Sequence, residues 1–256
     1  MKKMKDRPNN DLKRIADDFW RDLGRLKSFP RDIEKAATMK LPVGILKLPR
    51  LTGDSVADWL RSRRLIVTIP SEHRPLMGCL VAYRGHGIIF LCGVDDRDEQ
   101  RLTIGHEMAH LLHDYLLPRE RAITLFGEGI AEVLDGFRPP TPAERVEAVL
   151  EAVPLGTHVH LLPRIATGWD DEPILVESEC RADALALELL APTTCRTALI
   201  ARLMREGRSA GNICSILGAH FGLPASVFRQ FVQPRFSKPA VGFLGDALLT
   251  LRSSNR

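Results

Sequence analysis

The chain has 256 residues, of which 45% are hydrophobic and 27% are charged, and its formal net charge is +4. These proportions are ordinary for a globular protein and exclude a collagen-like or otherwise fibrous chain. The length suffices for one large domain, or for a catalytic domain with a smaller appendage. The modest basic excess permits an acidic partner but does not require nucleic acid.

The cysteine pattern and the apolar runs bear on the compartment. Five cysteines are present, an odd number, and they are widely spaced without a Cys-x-x-Cys pair, which argues against a disulfide framework or a structural zinc knuckle. The first 30 residues lack the continuous apolar core of a secretory signal. No apolar run approaches the ~20 residues of a membrane-spanning helix. We therefore expect a cytoplasmic protein with reduced thiols and no membrane contact.

The first half of the chain predicts a disordered tail followed by helices and strands. Residues 1–11 are polar and contain Pro and Asn, which is typical of a disordered segment. Apolar spacing then predicts helices at 12–26 and 55–63 and strands at 65–69, 79–83 and 87–92. The short Arg84–Gly87 segment joins the last two strands and suits a hairpin turn.

The second half is predicted to be mainly helical. The elements expected are helices at 101–115, 142–153 and 177–191, an extended stretch at 157–161, and further helices up to Phe231. We expect an α+β protein in four parts after the tail: a domain at 12–200, an insertion within it at about 119–173, a helical, helix-turn-helix-like subdomain at 201–233, and a C-terminal tail at 234–256.

The segment His106–His110 carries the motif His-Glu-x-x-His. Residues four apart lie on one face of a helix, so His106 and His110 can direct their imidazoles at one metal ion. Glu107 lies beside that ion, where it can take a proton from a water and pass it to a leaving amine. The alternative interpretation is a surface helix with two hydrogen-bonded histidines.

A catalytic zinc ion usually takes three protein ligands and keeps one position open. The predicted helix at 177–191 offers Glu179 and Asp183, which are four residues apart and share a face, whereas its other two glutamates face elsewhere. Glu179 is therefore the best candidate for the third ligand, and Asp183 is placed to accept the ring N–H of His106 or His110. The alternative is that both acids form a solvated helix face.

Other polar side chains near the motif have weaker claims. We expect His113 to line the cleft or to bond the end of the helix, because ligation by it would place three ligands in a line along one helix. Tyr115 and Arg181 are candidates for stabilising the transition state, since each can present a donor to a developing oxyanion. His158 and His160 alternate with apolar residues, which is more typical of the polar face of a strand than of metal ligands.

Two stretches carry a family resemblance. Arg101–His113 contains a Thr and an aliphatic residue ahead of the histidine motif, and Glu179–Pro192 contains Glu-x-x-Ala-Asp followed by Leu-Leu-x-Pro. These segments resemble the ImmA/IrrE-type metallopeptidase family. The chain departs from the family pattern at Ala109, Leu185 and Ala191, where Gly, Phe and Met are usual. These departures change packing residues and leave every proposed catalytic atom in place.

The resemblance implies a fold, a metal and a substrate class. The fold would be a zincin-like metallopeptidase core, with a small mixed sheet packed on the motif helix and a C-terminal helical subdomain. One Zn²⁺ would be held by His106, His110 and Glu179, and a strand such as residues 88–92 would pair with an extended substrate. Family members cleave helix-turn-helix repressors in phage, mobile-element and DNA-damage responses. The resemblance therefore implies a zinc endopeptidase that cuts such a repressor or an antitoxin-like partner.

Residues 209–231 have the glycine spacing of a helix-turn-helix, with Gly218 and Gly222 before and within the turn. The outer face of the second helix offers only Arg229 and Gln230 for reading bases. We favour a structural helical pair or a protein-binding subdomain over direct DNA binding. Two other classes of function stay open: a DNA-binding or partner-sensing regulator with a structural or vestigial zinc site, and a metal-dependent hydrolase of a non-peptide substrate.

Overall fold

The computed structural model describes residues 7–65, 67–70, 73–150, 158–164 and 173–233. The helices are α1 (Arg7–Trp20), α2 (Ile33–Lys40), α3 (Gly53–Ser62), α4 (Arg97–His110), α5 (Leu117–Phe126), α6 (Ala131–Leu134), α7 (Pro142–Leu150), α8 (Pro173–Leu190), α9 (Thr193–Arg205), α10 (Ala210–Phe221) and α11 (Arg229–Val232). The strands are β1 (Val43–Leu48), β2 (Leu76–Tyr83), β3 (His86–Cys92) and β4 (His158–Pro163). A π-helical segment, Leu111–Leu116, follows α4 directly. The protein is therefore α+β, as the sequence predicts.

The four strands form one small mixed sheet in the order β1-β3-β2-β4. β1 pairs with β3 in parallel, while β2 pairs antiparallel with both β3 and β4. The hairpin between β2 and β3 turns at Arg84 and Gly85, both of which have positive φ, as the tight turns that match strand twist require. Among the described residues β1 and β4 are the outer strands of the sheet.

The position of β3 corrects one expectation. The strand at residues 88–92 was expected to pair with an extended substrate, but it belongs to β3, which lies between β1 and β2. Its backbone groups on both edges are already engaged in the sheet. Pairing with a further chain requires an outer strand, so the expectation for residues 88–92 is wrong.

Other elements also differ from the sequence-based prediction. Helix α1 begins at Arg7, inside the predicted disordered tail. The described part of the predicted strand at 65–69 has no regular structure, and its apolar side chains pack against the core instead. β1 lies between the predicted helices at 12–26 and 55–63, where the sequence analysis predicts no strand. The tail at 234–256 and part of the 119–173 insertion lie outside the described residues.

The chain divides into two compact units, with a boundary inside α4 between His106 and Glu107. One unit takes its described residues from the ranges Met1–Lys40, Asp95–His106 and Arg164–Arg256. The other takes them from Leu41–Val94 and Glu107–Pro163. The domain boundary predicted near residue 200 is not a boundary of either unit, since α9 runs through it.

In the first unit, the C-terminal end of α8 is fixed by side chains from the N-terminal segment. The carbonyl of Leu189 accepts hydrogen bonds from Trp20 Nε1 at 2.9 Å and from Arg31 Nη1 at 2.5 Å. The last four carbonyls of a helix have no partner within the helix. These two bonds therefore satisfy an end of α8 that is otherwise buried, and they hold α8 against α1.

In the second unit, one face of the sheet packs on α3. Val56 and Leu60 of α3 lie in a buried cluster with Val81 and Phe90 of the central strands. Helix α3 begins after Thr52, whose side chain accepts from the backbone of the residue three positions on. Such a cap stabilises a helix by about 1 kcal/mol. The same sheet face also receives Leu161 of β4, so His160, its neighbour, points to the opposite face.

That opposite face of the sheet receives the segment that follows α4. A Cβ atom added at Gly87 of β3 would lie 2.9 Å from Cδ2 of Leu111. Glycine at this position therefore lets the π-helical segment approach the strand closely. The close approach brings the end of α4 to the sheet face that carries His160.

Among the described residues, no single helix has both the length and the apolar character needed to cross a membrane, although the bent pair formed by residues 176–190 and 193–205 meets those two criteria together.

Candidate metal centre

Helix α4 carries His106, Glu107 and His110 within one turn. Its start is fixed by Asp96, whose Oδ1 accepts from the backbone N–H groups of Asp98 and Glu99, each at 2.9 Å. The three motif side chains are almost fully buried, with 1%, 0% and 2% of their surface exposed. Burial of three adjacent ionisable groups is costly unless each is paired or holds an ion. The surface-helix alternative is therefore wrong.

His106 lies between two carboxylates of α8, one near each ring nitrogen. Its Nδ1 lies 2.8 Å from Oδ1 of Asp183, and its Nε2 lies 3.2 Å from Oε2 of Glu179. The structure thus places Asp183 at His106 rather than at His110. Both acids are buried or nearly so, so they do not form a solvated helix face.

His110 is oriented by a carboxylate that the sequence analysis did not single out. Its Nδ1 lies 2.7 Å from Oδ2 of Asp114. The other oxygen of Asp114 lies 3.1 Å from Nδ1 of His113. The spacing of four residues between His110 and Asp114 is the signal that would have identified this pair.

His160 of β4 lies beside the motif, on the face of the strand that its alternating pattern predicts to be polar. Its Nδ1 is 2.9 Å from Oε2 of Glu107, and its ring stacks on that of His110 with centroids 3.9 Å apart and an angle of 25° between the planes. His160 is 9% exposed. The sequence places His160 on the polar face of a strand, and the structure buries that face because the end of α4 covers it.

His106, His110, His160 and Glu179 form a group that can hold a metal ion. Each offers one ligand atom, and these atoms all lie within 4.8 Å of one another. The 3.2 Å between His106 Nε2 and Glu179 Oε2 is close to the edge of about 3.4 Å in a tetrahedral zinc site with bonds of about 2.1 Å. All three histidines use Nδ1 for a carboxylate, which is the arrangement that usually orients a metal-binding imidazole through Nε2.

The hydrogen bonding of Glu107 is also consistent with a bound metal ion and an adjacent water. Its Oε2 lies at His160, but its buried Oε1 has no hydrogen-bond partner among the described residues. A buried carboxylate oxygen without a partner costs free energy. A water held beside a metal would supply the missing donor, so the residues present fit a metal site with an adjacent water.

Two neighbouring groups have shifted pKa values. Burial raises the pKa of the Cys79 thiol well above its usual range, and the charge of Glu107 adds to the effect. Burial lowers the pKa of His158, while the nearby carboxylate of Asp114 opposes this shift. Both shifts keep these side chains neutral, so they add no charge beside the metal-binding group.

The remaining candidate residues lie around this group in different roles. The hydroxyl of Tyr115 accepts from the backbone N–H of Gly85 at 2.8 Å, so in this structure it supports the β2–β3 turn. His113 is one-third exposed and bonds Asp114. Arg181 lies half-buried on α8.

The helix-turn-helix-like segment is built around a tight turn. Gly222 has a left-handed conformation, and a Cβ at Gly218 would lie 2.9 Å from the carbonyl oxygen of Leu223. The helical turns after it are a 3-10 helix at Ala225–Phe228 and the four-residue α11. Within the described residues, this second element is short for a helix that reads a DNA groove.

No family model matches the chain, and no curated protein or solved structure is significantly similar to it.

Proposed function

We propose that this protein is a zinc-dependent endopeptidase that cleaves a regulatory protein, with a helix-turn-helix repressor or an antitoxin-like partner as its substrate. The observation that carries the proposal is Glu107. It is fully buried, it lies next to two candidate ligands on α4, and its Oε1 has no partner among the described residues. A carboxylate held in that way is suited to act as a general base toward a water.

The roles of the side chains follow from their placement. We assign the metal to His106, His110 and Glu179, with Asp183 and Asp114 orienting the two imidazoles. A bound Zn²⁺ supplies a Lewis acid that polarises the scissile carbonyl and makes water more acidic. Glu107 removes a proton from the water that attacks the carbonyl carbon. It then returns that proton to the amine as the carbon–nitrogen bond breaks.

The choice of a zincin-like peptidase over other hydrolases rests on the resemblance of Arg101–His113 and Glu179–Pro192 to the ImmA/IrrE-type family. The same resemblance is the basis for the repressor substrate and for a protein that acts in transcriptional control. The site chemistry is equally compatible with other carbonyl substrates, so the experiment must include the substrate itself.

The test is to incubate the purified, zinc-loaded protein with helix-turn-helix repressors encoded in the same genome and to identify fragments by mass spectrometry. We expect cleavage that a chelator abolishes. We expect Glu107→Gln to lose cleavage by at least a factor of about 10³ while keeping one zinc ion per chain, because it removes the base and not a ligand. Glu120→Gln, an exposed change on α5, is the control. Retained cleavage in Glu107→Gln would sink the mechanism.

A second candidate function is a regulator with a closed structural zinc site. It is favoured by one observation, the presence of His160 as a fourth potential ligand. That function predicts zinc bound without a water, no cleavage of any repressor, and DNA binding that weakens with salt and requires the exposed Arg229. The two functions therefore differ in both cleavage and the effect of Arg229→Ala.

A further inference from the structure

We infer that His160 is not a metal ligand but a positioning residue for Glu107, an inference that rests on the proposed function. Its Nδ1–H donates to Oε2 of Glu107 at 2.9 Å, because an ionised carboxylate can only accept. This bond fixes one oxygen of the base. The other oxygen, Oε1, is then presented to the attacking water.

The stacking of the His110 and His160 rings argues against His160 as a metal ligand. An imidazole binds a metal through a lone pair that lies in the plane of the ring, so two imidazoles on one ion must have planes that both pass through it. The rings of His110 and His160 are stacked with centroids 3.9 Å apart and planes at only 25°. In such a stack the in-plane lone pairs of the two rings run side by side rather than toward one point. The arrangement therefore favours one of these two histidines as a ligand rather than both.

The surroundings of His110 and His160 decide which of the two binds the metal. His110 lies four residues from His106 on the same helix, in the spacing that lets both imidazoles face one ion, and Asp114 orients it. His160 instead belongs to β4, opposite Leu80 of β2, and its oriented nitrogen is directed at the base. With His160 outside the ligand set, three protein ligands remain and the site keeps an open position.

Three substitutions distinguish positioning, ligation and a purely structural role. His160→Ala removes the donor. His160→Asn places an amide N–H near the position of Nδ1, while His160→Gln places one near the position of Nε2. We expect the catalytic rate on a cleaved repressor to fall roughly ten- to a hundred-fold in His160→Ala. We expect His160→Asn to recover most of the rate and His160→Gln to recover little.

Metal binding provides a readout that does not depend on cleavage. Each variant is titrated with Co²⁺, and the visible absorption of the bound ion reports its ligands. We expect His160→Ala to bind one Co²⁺ per chain with an unchanged spectrum, and His110→Ala to lose binding by more than a hundred-fold. A loss in His160→Ala equal to that in His110→Ala would show that His160 is a ligand and would overturn the inference.

Binding of acetohydroxamate to the Co²⁺ protein tests the position of Glu107 directly, because this chelator can donate its hydroxyl proton to the base. We expect similar weakening in His160→Ala and Glu107→Gln, recovery in His160→Asn, and no further loss when the first two are combined. Additive losses, or no recovery with Asn, would contradict the positioning role. If these results hold while no repressor is cleaved, the proposed function fails and the positioning of Glu107 stands.

Discussion

At the scale of single residues, the site is a set of imidazole–carboxylate pairs. Asp183 bonds His106, Asp114 bonds His110, and Glu107 bonds His160. In the first two pairs the carboxylate orients a proposed ligand, whereas in the third the histidine orients the proposed base. The same contact therefore has two different consequences, which depend on which partner faces the metal.

The pair of Asp183 with His106 makes a direct prediction about metal affinity. In Asp183→Asn a neutral amide takes the place of the carboxylate that accepts from the His106 ring. The imidazole of His106 is then held less firmly and is a weaker base toward the metal. We expect the affinity for Zn²⁺ to fall roughly ten- to a hundred-fold, measured by competition with a chromogenic chelator. Glu177→Gln, an exposed change on the same helix, should leave the affinity unchanged. An equal effect of both variants would mean that the charge of α8, and not the bond to His106, controls affinity.

At the scale of elements, the sequence predicts what is local. The helix that carries His106 and His110, the β2–β3 hairpin and β4 can be predicted because apolar spacing and turn residues specify them. β1 could not be predicted in the same way, since its burial depends on pairing with a strand some forty residues later in the chain. The stretch at 65–69 shows the opposite failure, because its described apolar residues, Leu65, Val67 and Ile69, pack against the core without forming a strand.

The residues of the candidate site also differ in whether local sequence spacing predicts them. His106, Glu107, His110, Glu179 and Asp183 could be proposed from spacing on two helices. His160 could not, because the pattern of β4 places it on one face of a strand without saying what covers that face. The cover is the end of α4, which reaches the sheet at Gly87. Only tertiary structure identifies a residue that acts through such a contact.

Helix α10 offers a matched pair of glycines for testing a tight helix turn. A Cβ at Gly218 would lie 2.9 Å from a backbone oxygen and 3.3 Å from the backbone of Ala225, whereas a Cβ at Gly211 would meet nothing within 4 Å. We expect Gly218→Ala to lower the free energy of unfolding by about 1–3 kcal/mol. We expect Gly211→Ala to raise it by up to about 1 kcal/mol, through helix propensity.

Urea unfolding followed by circular dichroism measures both changes. The two variants add the same methyl group to the same helix, so a difference in sign isolates the close contact from the propensity. Equal stability of the two variants would show that the turn after α10 is not closely packed.

At the scale of the whole molecule, the cysteines differ in burial, and burial changes the pKa of their thiols. All five are described and none is disulfide-bonded. Cys180 and Cys195 are exposed, while the other three are buried. Burial raises the pKa of both Cys79 and Cys214. The same burial raises the pKa of Tyr115, so the folded state resists ionisation of several groups that ionise readily in an unfolded chain.

This difference predicts that stability decreases at alkaline pH. Above the usual thiol pKa, the unfolded chain has lost the Cys79 proton while the folded protein retains it, so the unfolded state binds fewer protons and the free energy of unfolding falls as pH rises. The full stability is present below pH 8. We expect the urea concentration at the unfolding midpoint of the wild-type protein to decrease as the pH rises from 8 to 10.

Cys79→Ala should have a lower midpoint at pH 8 because it loses buried atoms, but a shallower decrease toward pH 10. Cys195→Ala, a change at an exposed thiol, should follow the wild-type slope. A slope in Cys79→Ala as steep as that of the wild type would show that the buried thiol does not control the alkaline response.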